Sequence, residues 1–206
     1  MRRLDNPLQL PTNPLGAAVA IAWLALLAVG CSSAPVPNRD PVGQVFPEVA
    51  GEALDGKQWE IPADLTGRPA ILLIGFVQDA QFDIDRWLLG ISQLGTPVPF
   101  LELPTIKGLA PRMFQGTIDE GMRKGIPIED WRGVVTLWSD DATEVVELTG
   151  SERPRNARVA LLNGAGRIVW FTDRGFSAGQ MMDLDAAARE LLLGPAAQSA
   201  TRPAAP

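Results

Sequence analysis

Short apolar runs and longer amphipathic stretches alternate along this chain. Ala70 to Val77 (AILLIGFV) is continuously apolar and bounded by turn residues, the pattern of a strand buried on both faces. After Gln78-Asp79 the spacing changes. Ile84, Trp87, Leu88, Ile91 and Leu94 fall on one stripe of an amphipathic helix, with Asp79 as its expected N-cap and Gly95 and Pro97 as its stop. Upstream, Asp55-Gly56 predicts a hairpin between Ala53-Leu54 and Lys57 to Ile61. Downstream, Pro97 to Ile106 reads as a strand kept short by Pro99 and Pro104. A helix opening near Pro111 carries Met113, Phe114, Ile118 and Met122 as an expected core stripe, and ends at Gly125 to Pro127. Val134 to Trp138 predicts a strand and Asp140-Asp141 a turn; Thr143 to Leu148 alternates like another strand. Ala157 to Leu162 and Arg167 to Thr172 flank Asn163 to Gly166 as a hairpin. Ser177-x-x-Gln180 is a capping box opening a last helix, with Met181, Leu184, Ala188 and Leu191 inward. The tryptophans Trp59, Trp87, Trp131, Trp138 and Trp170 fall in these elements as core or half-buried packing.

The N-terminal pattern is different. Arg2 and Arg3 precede an uncharged run of 16 residues, Leu15 to Gly30, shorter than the roughly 20 that span a bilayer. It ends in Leu27-Ala28-Val29-Gly30-Cys31-Ser32-Ser33. This resembles a bacterial lipoprotein signal, which implies cleavage before Cys31 and acylation of that cysteine. The match departs at Ala28, where the family usually has leucine, and in an n-region that contains Asp5. The expected organisation is a signal peptide over 1–30, a lipidated tether over 31–41, a globular domain over 42–193 and a disordered Ala/Pro/Ser tail over 194–206. The resemblance places the protein in the cell envelope, facing the periplasm, with the membrane as one partner through the lipid.

Composition removes several classes of chemistry. The 206 residues include no histidine and one cysteine, so no Ser-His-Asp, Cys-His or His-ligated metal site and no intramolecular disulfide is available. Neither a metal site nor a cofactor is expected. A net charge of −6 argues against nucleic-acid binding. The loose basic cluster Lys107, Arg112, Arg123 and Lys124 reads as a solvated face.

Five segments in order carry a second resemblance: Pro47, Leu54-Asp55-Gly56-Lys57, Leu65-Thr66-Gly67-Arg68-Pro69, the strand ending at Phe76, and the late hairpin Leu161 to Ile168. They are similar to the thioredoxin-like superfamily, in particular its peroxiredoxin-like and thiol-reductase-like branches. The resemblance implies an α/β three-layer sandwich, a mixed central sheet with helices on both faces. It also implies a redox cysteine where Asp79 to Ile84 stand and a cis-proline where Asn156-Ala157 stand; both hallmarks are missing. The strand ending at Phe76, the absent cysteines and the Trp87 helix more loosely resemble mitochondrial ATP synthase assembly factors with a peroxiredoxin-like domain.

In such a fold Gln78, Asp79, Gln81, Asp83 and Arg86 would face Arg153, Arg155, Asn156 and Arg158 across one corner. That arrangement is either a binding cleft for a polar or anionic ligand or a structural ion-pair network replacing the thiol site. Three functions follow: a non-enzymatic, lipid-anchored binding or assembly module with an envelope protein partner; an enzyme or small-anion binder using the Asp/Arg corner; or a redox protein whose thiol is Cys31.

Overall fold

The computed structural model describes residues 34–108 and 113–193. The signal over 1–30, Cys31, Pro111, Arg112 and the tail over 194–206 lie outside the described residues. Seven strands form one sheet: β1 (Val49–Ala53), β2 (Gln58–Ile61), β3 (Ala70–Gly75), β4 (Phe100–Ile106), β5 (Val135–Trp138), β6 (Arg158–Leu162) and β7 (Ile168–Thr172). Their order is β2-β1-β5-β4-β3-β6-β7. The central pairs β5–β4 and β4–β3 are parallel; β2–β1, β1–β5, β3–β6 and β6–β7 are antiparallel. The described helices are α1 (Gln81–Leu94), α2 (Gln115–Gly125), α3 (Ser139–Thr149) and α4 (Ala178–Leu193).

Alternation along β3 divides the core. Leu72 and Ile74 join Leu103, Leu137 and α3's Ala142 and Val145 on one face. Ile71 and Leu73 join α1's Ile84, Trp87 and Ile91 and α4's Met181, Leu184 and Ala188 on the other. Every residue of β3 is buried, as its unbroken apolar run predicts for a strand covered on both faces. The mixed sheet with helices on both faces is the expected architecture.

Several local expectations are corrected. Thr143 to Leu148 is not a strand, and Asp140-Asp141 is not a turn: both belong to α3. The residues α3 buries include Ala142, Val145, Val146 and Thr149, at i, i+3, i+4 and i+7, so the helical period decides. β5 runs straight into it through Ser139, whose φ of 53° is left-handed. β4 is not cut short by proline; it extends over seven residues, with Pro104 in register opposite Gly75. A single proline removes one ladder donor, which this length absorbs. The expected core stripe is only partly buried: Met113 and Phe114, ahead of α2, are 83% and 63% exposed, Ile118 and Met122 on α2 are half-buried, and Asp119 is the residue α2 buries. Nothing in the helical period says which face turns inward, and on α2 it is the side of Asp119. Lys124 is exposed and pairs with Glu120, while Arg123 donates to the Leu54 carbonyl at 2.8 Å.

The chain also joins the domain before residue 42. Val36 and Ser151 exchange hydrogen bonds, Val36 N–H to Ser151 Oγ at 3.0 Å and Ser151 N–H to the Val36 carbonyl at 2.8 Å. Asn38 and Glu152 do the same through their side chains, at 3.0 and 2.9 Å. This strap lies over Gly150, whose φ is +78° and whose Cβ position overlaps the Pro37 carbonyl and Asn38 backbone. Gly150→Ala is therefore expected to lower stability by about 2 kcal/mol, from left-handed strain and displacement of the strap. Urea unfolding measures the loss, and faster hydrogen exchange at Ser151 would locate it.

Candidate functional site

The corner between the end of β3 and the start of α1 is where several of the expected residues meet. A 3₁₀ turn, Gln78–Ala80, precedes α1. It changes the role of Asp79: the N-cap position is Ala80, in helical conformation and without a side-chain cap. Asp79 instead pairs with Arg155 at 3.2 Å, both side chains more than half exposed. Gln78 is exposed beside it.

Asp83 is the organising group. It sits in the first turn of α1 with 9% of its surface exposed. One carboxylate oxygen accepts the Ala157 N–H at 2.9 Å, and the other accepts the Phe176 N–H at 2.8 Å. So one side chain joins α1 to the residue before β6 and to the loop before α4. Asn156 completes the join, its amide donating to the Asp173 carbonyl at 3.0 Å.

Arg158 is not a surface cation of this corner; it is fully buried on β6. Its guanidinium donates to the Arg153 and Asn156 carbonyls at 2.6 and 2.8 Å and lies 4.6 Å over the Phe76 ring. Burial pushes its pKa down to about 10; Asp173 opposes that shift and Arg153 adds to it. Its Nε is buried with no partner among the described residues.

Gln81 turns away from the arginines. Its amide donates to Asp85 at 3.0 Å and to Glu102 on β4 at 3.1 Å. Arg86 is exposed on α1 and makes no ion pair among the described residues. The structure thus joins Asp79 to Arg155 and joins Asp83, Asn156 and Arg158 through the backbone. Gln81 and Arg86 stand apart from them.

Glu102 was not visible as a site residue, because it lies in an apolar strand. Burial raises its carboxyl above the usual 4.5; the Gln81 amide pulls it back, and Asp85 and Asp130 raise it further. The folded state then holds a proton that the unfolded chain releases. Stability falls as pH rises from the unfolded value through the raised folded one, and the penalty is complete above the latter. Glu102→Gln keeps an acceptor for Gln81 and removes the charge. Its unfolding temperature is expected to exceed the parent's at pH 7, with the difference vanishing below pH about 4.5, followed by calorimetry across pH.

A cleft of about 490 Å³ opens beside this corner, not within it. It shares Arg153 with the expected residues and adds strap residues, the end of β7 and the first turns of α4. Its residues are far apart in sequence, so no motif announces it. No group of histidine, cysteine or carboxylate side chains suited to a metal ion occurs among the described residues. No described helix is long and apolar enough to cross a membrane.

No protein-family model matches the chain. No curated protein matches it either. Solved structures do. A SCO1/SenC family lipoprotein from Bacillus anthracis superposes with a TM-score of 0.52 at 13% identity, covering 76% of this chain and 99% of that one. BsSco, a member of the Sco family of cytochrome c oxidase assembly proteins, gives 0.52 at 10% identity over 75% and 96%. A candidate protein disulfide isomerase from Bacteroides thetaiotaomicron gives 0.52 at 13% over 81% and 99%. At these identities the likeness establishes the fold, which is thioredoxin-like.

Proposed function

We propose that this chain is a non-enzymatic binding or assembly module, held in the bacterial cell envelope by a lipid on Cys31, and built on a thioredoxin-like scaffold whose redox site has become a structural joint. One observation carries this reading. Within the stretch where the resemblance puts the redox thiol, Asp79 to Ile84, Asp83 spends both carboxylate oxygens on backbone amides of two other segments. A thiolate nucleophile needs an open, electropositive helix start; this one is closed by a carboxylate. The Sco-family and lipoprotein descriptions of the structural neighbours agree with an envelope assembly role.

The alternative, an enzyme or small-anion binder at the Asp/Arg corner, draws less support. The most enclosed carboxylate there is already satisfied, and the Asp79–Arg155 pair is open to water, where such pairs contribute about 0–1 kcal/mol. Arg155→Glu is expected to shift stability by less than about 1 kcal/mol and to leave partner capture unchanged.

Three measurements test the proposal. Intact-mass analysis of the mature protein is expected to show Cys31 acylated; a free thiol would remove the anchor. The full chain, extracted from the membrane fraction, is expected to retain a stoichiometric protein partner. Turnover of a disulfide or a peroxide by the purified protein would overturn the non-enzymatic reading.

A further inference from the structure

We infer that α2 is a proton-operated latch: it closes over β1 and β5 while Asp119 is neutral and is released when that carboxyl ionises. The inference is independent of the lipid anchor and of any partner.

Little holds α2 in place. It follows Phe114 without a side-chain cap, carries Gly116 and Gly121 within it, and buries one residue, Asp119, which is 8% exposed. A helix is ordinarily held to a sheet by an apolar stripe. Here Ile118 and Met122 are only half-buried, and an acid takes the inward position.

The neighbours of that acid are known. Arg123, one turn on, donates from Nε to the Leu54 carbonyl at 2.8 Å, which pins α2 beside the end of β1. Glu52 of β1 is the second carboxylate that acts on Asp119. Glu52 stands directly opposite Thr136 of β5, so the two side chains share one face of the sheet. It is the face away from α3, because Val135 and Leu137 on either side of Thr136 pack with α3's Ala142 and Val145. Thr136 Oγ1 and Asp119 Oδ1 are both buried, and neither has a hydrogen-bond partner among the described residues.

No cation neutralises this layer. Arg123 is engaged by the Leu54 carbonyl and lies 5.7 Å from the Trp131 ring. Lys124 pairs with Glu120 at 3.0 Å on the exposed side, and Lys57 lies 3.4 Å over Trp59. Asp119 makes no ion pair among the described residues. An ionised carboxylate enclosed in this way, with a second acid beside it, is costly; the neutral acid is not, and it can donate as well as accept. Burial raises the Asp119 carboxyl above the usual 3.8, Arg123 draws it back, Glu52 raises it and Gln115 lowers it. The docked helix thus holds a proton that the released helix gives up. Docking is strongest below pH about 3.8 and weakens as pH rises through the raised value. Release uncovers the Glu52–Thr136 face and lets Ile118 and Met122 join the exposed Met113 and Phe114. Acidity around the domain then decides which of two surfaces it presents.

The experiment is amide hydrogen exchange of the full chain in detergent micelles, followed residue by residue from about pH 4 to about pH 7 and corrected for the intrinsic pH dependence of exchange. Glu102 also gives up a proton as pH rises and weakens the whole domain, so the β3 amides serve as the reference. Between the two pH values residues 115–125 are expected to lose more protection than β3 does. Asp119→Asn keeps the shape of the side chain and cannot ionise, and in that variant the excess loss is expected to disappear. The inference is overturned if α2 loses no more protection than β3, which would make the effect global. It is equally overturned if the excess persists in Asp119→Asn, which would assign it to another group.

Discussion

Asp83→Ala is expected to lower the unfolding free energy by about 3 kcal/mol, although the substitution deletes only a small side chain. The lost carboxylate accepts from Ala157 and Phe176, so two amides in a closed joint are left without a partner. Hydrogen bonds to a charged acceptor are worth about 1.5–3 kcal/mol each, and a stranded buried donor costs about 1–3. Asp83→Asn keeps one acceptor oxygen and places a donor against the second amide, so about half the loss is expected. Urea unfolding of the three proteins checks the order. A loss below about 1 kcal/mol for the alanine variant would show that Asp83 is not what closes the corner.

A second large effect is expected at Trp87→Ala, about 4 kcal/mol, in the range for deleting a buried aromatic side chain. Trp87 is fully buried in the layer between the sheet, α1 and α4. It meets Trp170 edge-on at 6.1 Å and Phe176 edge-on at 5.4 Å. Its indole N–H has no partner among the described residues. Trp87→Phe removes that stranded donor and keeps most of the ring packing, so its loss is expected to be less than half that of alanine. Calorimetry on the two variants decides it. Equal losses would mean that the indole N–H contributes a bond not visible in these contacts.

How much of this was legible in the sequence depended on the range over which each signal acts. β3 and α1 were readable because burial on both faces, or on one stripe, writes itself into consecutive residues. α3 was misread because Thr143, Val145 and Val146 give a six-residue window the look of a strand. Only with Ala142 and Thr149 does the helical spacing appear. The stripe from Met113 to Met122 had the right period, but its first two residues stay exposed and α2 turns Asp119 inward. The partners of Asp83 are backbone amides 74 and 93 residues away, which no local pattern can encode. The strap is Pro-rich and polar like a linker, yet its amides close on Ser151 and Glu152 more than 110 residues later. The chain positions of the corner residues could therefore be read from the sequence, while the partner of each charge within it could not.

The docked strap also limits how far the domain can travel. Five peptide steps separate Cys31 from Val36, and fully extended they cover about 18 Å, less than the width of a bilayer's hydrocarbon core. Under the proposed acylation the domain cannot swing freely in the periplasm. The domain would then stay within that reach of the lipid surface.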